Sequence, residues 1–491
     1  KMSSPSGPPE TVEVNGTTFK SLADGEYDAI VLGTGLKECI LSGLLATDGM
    51  RVLVVDRNGY YGGEAASLNL TNLYRKFRDA DPPAEVFERL GHNRFYNVDL
   101  IPKFIMADGK LVRMLLHTGV NHYLDFKNVD GSYVFKGGKK AIFKVPATEM
   151  EALKTPLMGF FQKRKFRNFL KWVASQEDAD YGRSDTSYPV EDTSRMVTHE
   201  VYSRFGLDDN TRDFTGHALA LHLSDDYLEE PVHDTVRACK LYAHSLERYG
   251  RSPYLYPLYG LGGLPEGFSR LCAIKGGVFM LNTDVDEILF NEDGAAVGVR
   301  SGEMAARANL VVGDPSYFPR EKTRPTHQVV RSIFIMDHPI PHTDDAESCQ
   351  IIVPYSQVAK AGYPPRKHDI YVSCVSASHM VAAAGKYVAI VSTTVETSNP
   401  LMELEVAVQM LGPWVERFDQ VSQCYEPVAD GTADRCFIST SYDATSHFET
   451  TSQDVLALYE RITGKPLAFR IPGSEGSAAS GAGSAEAKSS K

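Results

Sequence analysis

The stretch Tyr27-Asp28-Ala29-Ile30-Val31-Leu32-Gly33-Thr34-Gly35-Leu36-Lys37-Glu38 decides the fold. An apolar strand runs into a G-x-G turn and an apolar helix follows, the order in which a dinucleotide-binding unit begins. The third glycine of G-x-G-x-x-G is replaced by Glu38. That glycine normally lets helix and strand pack closely while the helix N-terminus faces a pyrophosphate. A carboxylate there can satisfy the helix dipole itself and repels an arriving diphosphate. The turn Gly33, Gly35, Glu38 is thus read as a degenerate nucleotide turn.

Working outward, a second buried strand, Arg51-Val52-Leu53-Val54-Val55-Asp56, ends in an acid 23 residues after Gly33, where a ribose-binding carboxylate belongs. Gly62-Gly63 and Gly137-Gly138 mark turns. Short β-rich segments are expected around Arg113–Leu116 and Ser132–Lys136. Over 146–250 the pattern becomes helical, with Leu157, Phe161, Phe169, Leu170 and Val173, and then Val236, Cys239, Tyr242 and Leu246, at helix-like spacing. The polar run 176–192 is read as a long loop. Strands return at 277–281, 308–312, 350–353 and 387–391, and late helices are expected at 401–411 and 455–462. The fold class is α/β: a Rossmann-type, FAD/NAD(P)-binding-like multi-sheet domain with an inserted all-helical domain. Its parts are a flexible extension over 1–25, a discontinuous domain over 26–145 plus 251–472, the helical domain 146–250, and a disordered Gly/Ser/Ala-rich tail over 473–491.

Composition narrows the function classes. A net charge of −12 disfavours nucleic acid as a partner. No run approaches the roughly 18 apolar residues of a membrane span. The seven scattered cysteines form no C-x-x-C and suit buried thiols in a reducing, cytoplasmic compartment. No nucleophile elbow, P-loop or H-E-x-x-H occurs. His217 and His222 are read as helix-packing residues, not a metal pair, and Asp225-Asp226 with Glu229-Glu230 as a solvated helix end. Lys163-Arg164-Lys165-Phe166-Arg167-Asn168-Phe169-Leu170-Lys171 reads as an amphipathic helix with a solvated basic face, the other reading being a segment suited to anionic membrane. Ser252-Pro253-Tyr254-Leu255-Tyr256-Pro257-Leu258-Tyr259-Gly260 suits equally a packed connector or an aromatic contact surface.

Several segments together resemble the Rab GDP dissociation inhibitor family. They are Asp28–Leu36, Asp56-Arg57-Asn58, Tyr60-Tyr61-Gly62-Gly63-Glu64, Asn97–Phe104, Asp213–Leu221, Ser252–Gly260 and Ser441–Thr451, spread over about residues 26–465. The resemblance implies a non-enzymatic chaperone that binds prenylated Rab GTPases in the GDP state, blocks GDP release and lifts them from membranes. It implies a cytoplasmic, monomeric carrier, transiently at membranes, that holds geranylgeranyl lipid and no cofactor, FAD included. By the same resemblance, Tyr61, Arg270 and Met280 fall on a Rab-binding platform, and Arg248, Ser252 and Tyr254 on a mobile effector loop. One position departs: where the family pattern reads Gly-Leu-Gly-Glu-Leu-Pro, this chain has Gly263 for the platform glutamate, with Glu266 three residues on as a candidate substitute. The prenyl pocket is expected in the helical insertion, lined by Leu157, Phe161 and Phe169. An escort protein of the same superfamily ranks second, and a flavin-dependent oxidase with a modified turn is the reading from another class.

Overall fold

The computed structural model describes residues 10–470. The expectations for residues 1–9 and for the tail 473–491 lie outside the described residues. The opening stretch builds the middle of the principal sheet. Thr17–Leu32 pairs in parallel with Val52–Val55 on one side and with Met304–Gly313 on the other. Val278–Met280 extends the sheet beyond Val52–Val55, and Ala296–Ser301 and Glu287–Phe290 extend it past Met304–Gly313. Parallel strands covered on both faces favour near-continuous apolar runs, and Ala29 to Leu32 and Val52 to Val55 are all buried.

Residues 10–25 correct the expectation of a loose extension. Thr11–Val14 pairs antiparallel with the start of Thr17–Leu32 through a tight turn at Asn15-Gly16, both at positive φ (52° and 76°). Asn-Gly suits that turn because both central residues must enter the left-handed region. The hairpin hides Val12 and Val14 on one face while its alternate residues face outward.

A second, seven-stranded sheet runs Glu416–Pro427, Thr323–Met336, Tyr387–Thr394, Ile370–Ser376, Cys349–Val353, Gly131–Lys136, Ala141–Lys144. The expected segment at 132–136 is one of its strands. The one at Arg113–Leu116 is instead helical, within Lys110–Thr118, where Leu111, Met114 and Leu115 bury one side. A short apolar run carries little periodicity, so packing settles its conformation. A small third sheet holds Tyr254–Pro257 between Ile105–Met106 and Phe126–Asn128, so the Tyr-Leu-Tyr-Pro segment is a packed connector. All seven cysteines are buried and free.

The helices Phe160–Ser175, Thr198–Phe205 and His233–Tyr249 pack around Phe169, Trp172, Tyr202 and Cys239. One turn among them is wider than an α-helix. Phe214–Leu219 forms a π-helix, closed by the Ala220 amide donating to the Thr215 carbonyl five residues back. Of the two histidines, His217 is more than a packing residue. His217 Nδ1 lies 2.8 Å from Asp369 and Nε2 3.1 Å from Asp225. The half-buried Asp225 therefore bridges through His217 and Asp369 to the second sheet, while Asp226, Glu229 and Glu230 are exposed, as a solvated helix end would be. Burial works against a charged His217, but the two carboxylates outweigh it and raise its pKa to about 10. His222 stacks on Tyr227 at 3.9 Å, and its pKa is lowered to about 4 by burial and by His217.

Protonated His217 binds its proton more tightly in the folded chain than in the unfolded one, where its pKa is about 6.5. Its stabilisation is complete below that value and lost as pH rises through about 10. Unfolding of the parent and His217→Gln should therefore differ most below pH ~6.5 and converge toward pH ~10. A difference that stays constant over that range excludes a charged His217.

Candidate functional site

At the degenerate turn, the two acids of the nucleotide motif, Asp56 and Glu38, are bonded within the protein. Asp56 accepts hydrogen bonds from the Thr34 amide (2.7 Å), the Thr34 hydroxyl (2.6 Å) and the Asn58 amide (2.7 Å). Glu38 is buried, bonded by its own backbone amide and by the Ser439 hydroxyl at 2.8 Å. Its Oε2 stands against Gly35, filling the space a Cβ would take. Burial, with the nearby Asp314 carboxylate, pushes the Glu38 pKa well above the usual carboxylate range. A cleft of about 860 Å³ remains in front of the turn, bounded by Tyr317, Arg331 and Tyr442. A flavin or nicotinamide dinucleotide needs its diphosphate against Gly35 and the helix N-terminus, and the Glu38 side chain takes that position. These residues do not fit the group.

The residues that the resemblance assigns to a Rab-binding platform are carried by the same unit. Helix Gly263–Ile274 packs on helix Leu36–Thr47, where Gly43 approaches the Phe268 carbonyl so closely that an added Cβ would stand 3.3 Å from it. Gly263, Glu266 and Arg270 follow one another at helical spacing on its outer side, and Glu266 and Arg270 are exposed. The Arg270 guanidinium covers the Tyr123 ring at 4.4 Å. Tyr61 meets Phe279 edge-on with centroids 5.8 Å apart. Its hydroxyl pKa is raised by burial, with the Cys39 thiol and the Glu266 carboxylate adding to the effect. Tyr61, Glu266 and Arg270 thus share a neighbourhood. Met280 does not join it directly, because successive side chains of a strand alternate: Phe279 faces the Tyr61 side and Met280 packs with the cluster on the other face. Phe279, Tyr123 and Glu266 complete the surface. Only Glu266 had a sequence signal, its offset from Gly263.

A buried carboxylate positions helix Gly263–Ile274. Asp99 accepts from the Tyr256 and Ser67 hydroxyls and from the Leu261 amide at 2.9 Å, and Ser67 accepts from the Gly262 amide at 2.9 Å. This set fixes the chain entering Gly263–Ile274. Burial raises the Asp99 pKa to about 6.

The other expected site residues are dispersed. Arg248, at the end of His233–Tyr249, is paired with Asp108. The Ser252 hydroxyl donates to the Val129 carbonyl at 2.6 Å, and Tyr254 is fully buried against Phe104. Within 252–260 it is Tyr259 that is exposed. Leu157 is buried beside a space of about 10 Å³, room for one water. Phe169 lies in the helical core and Phe161 is exposed, so the three line no common cavity. The polar loop 176–192 is strapped across the helices: Asp180 pairs with Arg113 (2.9 Å) and Arg237 (2.7 Å).

Removing the Asp99 carboxylate leaves buried donors unpaired, each worth about 1–3 kcal/mol. Asp99→Ala should lower the unfolding free energy by at least that amount in denaturant titration, and Asp99→Asn by less. Equal stability of Asp99→Ala and the parent would remove Asp99 from this role.

Residues 23–472 match the family model described as GDI, GDP dissociation inhibitor. A probable secretory pathway GDP dissociation inhibitor 1 of Schizosaccharomyces pombe is 52% identical over 447 residues, covering 91% of this chain and 98% of its own. Guanosine nucleotide diphosphate dissociation inhibitor 2 of Arabidopsis thaliana is 52% identical over 457 residues, covering 93% and 99%. The crystal structure of a Rab GDI from Plasmodium falciparum superposes with a TM-score of 0.84 at 46% identity, covering 90% of this chain and 99% of that one. An oxidoreductase from Methanosarcina mazei shares the fold alone, at 15% identity and TM-score 0.55, with 88% and 100% covered. With its nucleotide turn closed and its family match running nearly end to end, this chain belongs to the GDP dissociation inhibitor family, whose members are regulators and not enzymes.

Proposed function

We propose that this chain is a Rab GDP dissociation inhibitor: it binds prenylated Rab GTPases in the GDP state, slows GDP release, and carries them between membranes through the cytoplasm as a monomer. The observation that carries the reading is the platform of Tyr61, Glu266, Arg270 and Tyr123. It sets the exposed Tyr123, Glu266 and Arg270 beside a half-buried Tyr61 on a rigid helix-on-helix support, the residue types that anchor interfaces. Binding the switch segments of the GDP state, and not those of the GTP state, is a differential affinity. It slows nucleotide release without any catalytic group.

The lipid requirement is one of apolar burial. Each buried methylene of a geranylgeranyl chain is worth about 0.8 kcal/mol, so a soluble carrier must offer a comparable apolar surface. We assign that role to the helical insertion, with Phe161 at its surface and Leu157 and Phe169 inside. Phe166 packs against the clusters of both Leu157 and Phe169 and bridges the two inner residues. A tail is accommodated there by separation of these clusters, since the space beside Leu157 is water-sized. Arg248 and 252–260, held by Asp108 and by the small sheet, are assigned to membrane retrieval. Among the described residues no helix is long and apolar enough to cross a membrane.

Extraction of GDP-loaded prenylated Rab from liposomes tests the whole reading. The parent should extract it, and failure to do so rejects the proposal. Tyr61→Ala and Arg270→Ala should each weaken GDP-Rab binding by about tenfold, the ~1.4 kcal/mol of a moderate interface anchor. Unchanged affinity for both displaces the platform. A Cβ on Gly263 would stand 3.0 Å from a Leu124 methyl group, which can turn aside. Gly263→Glu should therefore fold and bind at least as tightly as the parent. Glu266→Ala should weaken the parent more than it weakens Gly263→Glu, and equal losses would deny Glu266 the substitute role.

A further inference from the structure

Helix Phe160–Ser175 has an inner face and an unpartnered tip. Phe169, Trp172 and Val173 are buried in the helical core. The first turn instead presents Phe160 and Phe161, 82% and 78% exposed, with ring centroids 5.8 Å apart. From the preceding helix, Glu149–Lys154, Met150 and Leu153 are 61% and 74% exposed. The Lys163 ammonium donates to the Leu153 carbonyl at 2.6 Å and holds the two helix ends together. Four large apolar side chains therefore stand in water at one corner of the molecule, two of them from each helix. Scattered exposed apolar residues need no explanation, but a contiguous group of this kind does.

The charges around this corner say what covers it. Lys154, Arg164 and Arg167 are exposed, with no hydrogen-bond or ion-pair partner among the described residues. Arg164 and Arg167 follow Phe160 at i+4 and i+7 and so lie on its side of the helix. Of the two acids in helix Glu149–Lys154, Glu149 and Glu151, Glu151 is tied to Lys144 at 2.8 Å. In a chain of net charge −12 this corner is locally cationic, with aromatic rings at its apex. Aromatic side chains flanked by Lys and Arg match the bilayer interface, where rings enter the boundary between headgroups and acyl chains while cations meet lipid phosphates.

We propose that the corner formed by Met150, Leu153, Phe160 and Phe161, ringed by Lys154, Arg164 and Arg167, is a docking surface for an anionic lipid bilayer. This deepens the carrier reading, on which its purpose rests, by naming the surface that approaches the membrane and the lipid charge it selects. The contact itself requires no GTPase.

Co-sedimentation of the full chain with phosphatidylcholine vesicles, with and without phosphatidylserine, tests the proposal. The parent should bind the phosphatidylserine vesicles, bind pure phosphatidylcholine far more weakly, and be released by salt. A cation near an anionic surface contributes about 1 kcal/mol, roughly five-fold in partitioning. Arg164→Ala with Arg167→Ala should therefore cost about 25-fold. Phe160→Ser with Phe161→Ser should also reduce binding, and Lys275→Ala, an exposed cation elsewhere, should not. The proposal falls if the parent ignores both vesicles, if phosphatidylserine makes no difference, or if the double variants bind like the parent. It falls equally if binding occurs only to native membranes and is abolished by protease, which would assign the corner to a protein. Affinity for unprenylated GDP-Rab, measured beside it, separates the two readings. Lost vesicle binding with intact GTPase binding rejects the lipid surface alone. Vesicle binding without GTPase binding rejects the chaperone reading alone.

Discussion

The Glu38 carboxylate, folded over Gly35 inside the first strand–helix turn, is the constraint on which the working arrangement depends. A carboxyl group taken out of water is costly unless it is neutralised or bonded, and both happen here: its pKa is raised, and Ser439 and its own amide bond it. Bonded in this way, Glu38 takes the place at the helix N-terminus that a phosphate holds in a dinucleotide enzyme. With Asp56 consumed by Thr34 and Asn58, the motif becomes a self-contained corner that anchors helix Leu36–Thr47. That helix in turn supports Gly263–Ile274, so the exposed Glu266 and Arg270 stand on a rigid base.

Buried polar bridges tie distant parts of the chain to this base. Lys103, fully buried, donates to Asp443 at 2.6 Å and to the Thr445 carbonyl at 2.9 Å. Burial opposes ionisation of Asp443, but Lys103 and the Thr445 and Thr450 hydroxyls hold its pKa well below the carboxylate range. Breaking such a pair strands a charge, so Lys103 and Asp443 hold the fold together and need no catalytic role. Asp99 does the same for the loop before helix Gly263–Ile274, and His217 joins the helical insertion to the second sheet. These groups look like chemistry in a sequence, and their geometry makes them structural.

The site was legible unevenly. The strand–turn–helix–strand unit, the helices after residue 400 and the insertion helices follow from apolar periodicity, which local residues carry. Thr323–Met336 and Glu416–Pro427 gave weaker signals. One begins with Arg324-Pro325 and buries Arg331, and the other is an edge strand with charged residues along it. Tyr61 and Arg270 were visible through resemblance. Phe279, Tyr123 and Asp99 were not, because an apolar, an aromatic and an acidic residue acquire their roles only from partners 218, 147 and 162 positions away (Tyr61, Arg270 and Leu261).

Sequence by itself determined the turn chemistry. Gly33 admits the bend at positive φ, and Gly35 leaves the room into which the Glu38 carboxyl folds in the diphosphate's place, all within six residues. It also determined the family, since ordered motifs survive wherever burial restricts residue choice. Tertiary structure alone decided which of the motifs are exposed. It buried Tyr254 and Ser252 in a sheet, set Met280 and Phe279 on opposite faces, and left Phe160 and Phe161 in water at a helix start. Exposure is a property of what packs against a side chain, and those neighbours are supplied by distant parts of the chain through long-range pairing.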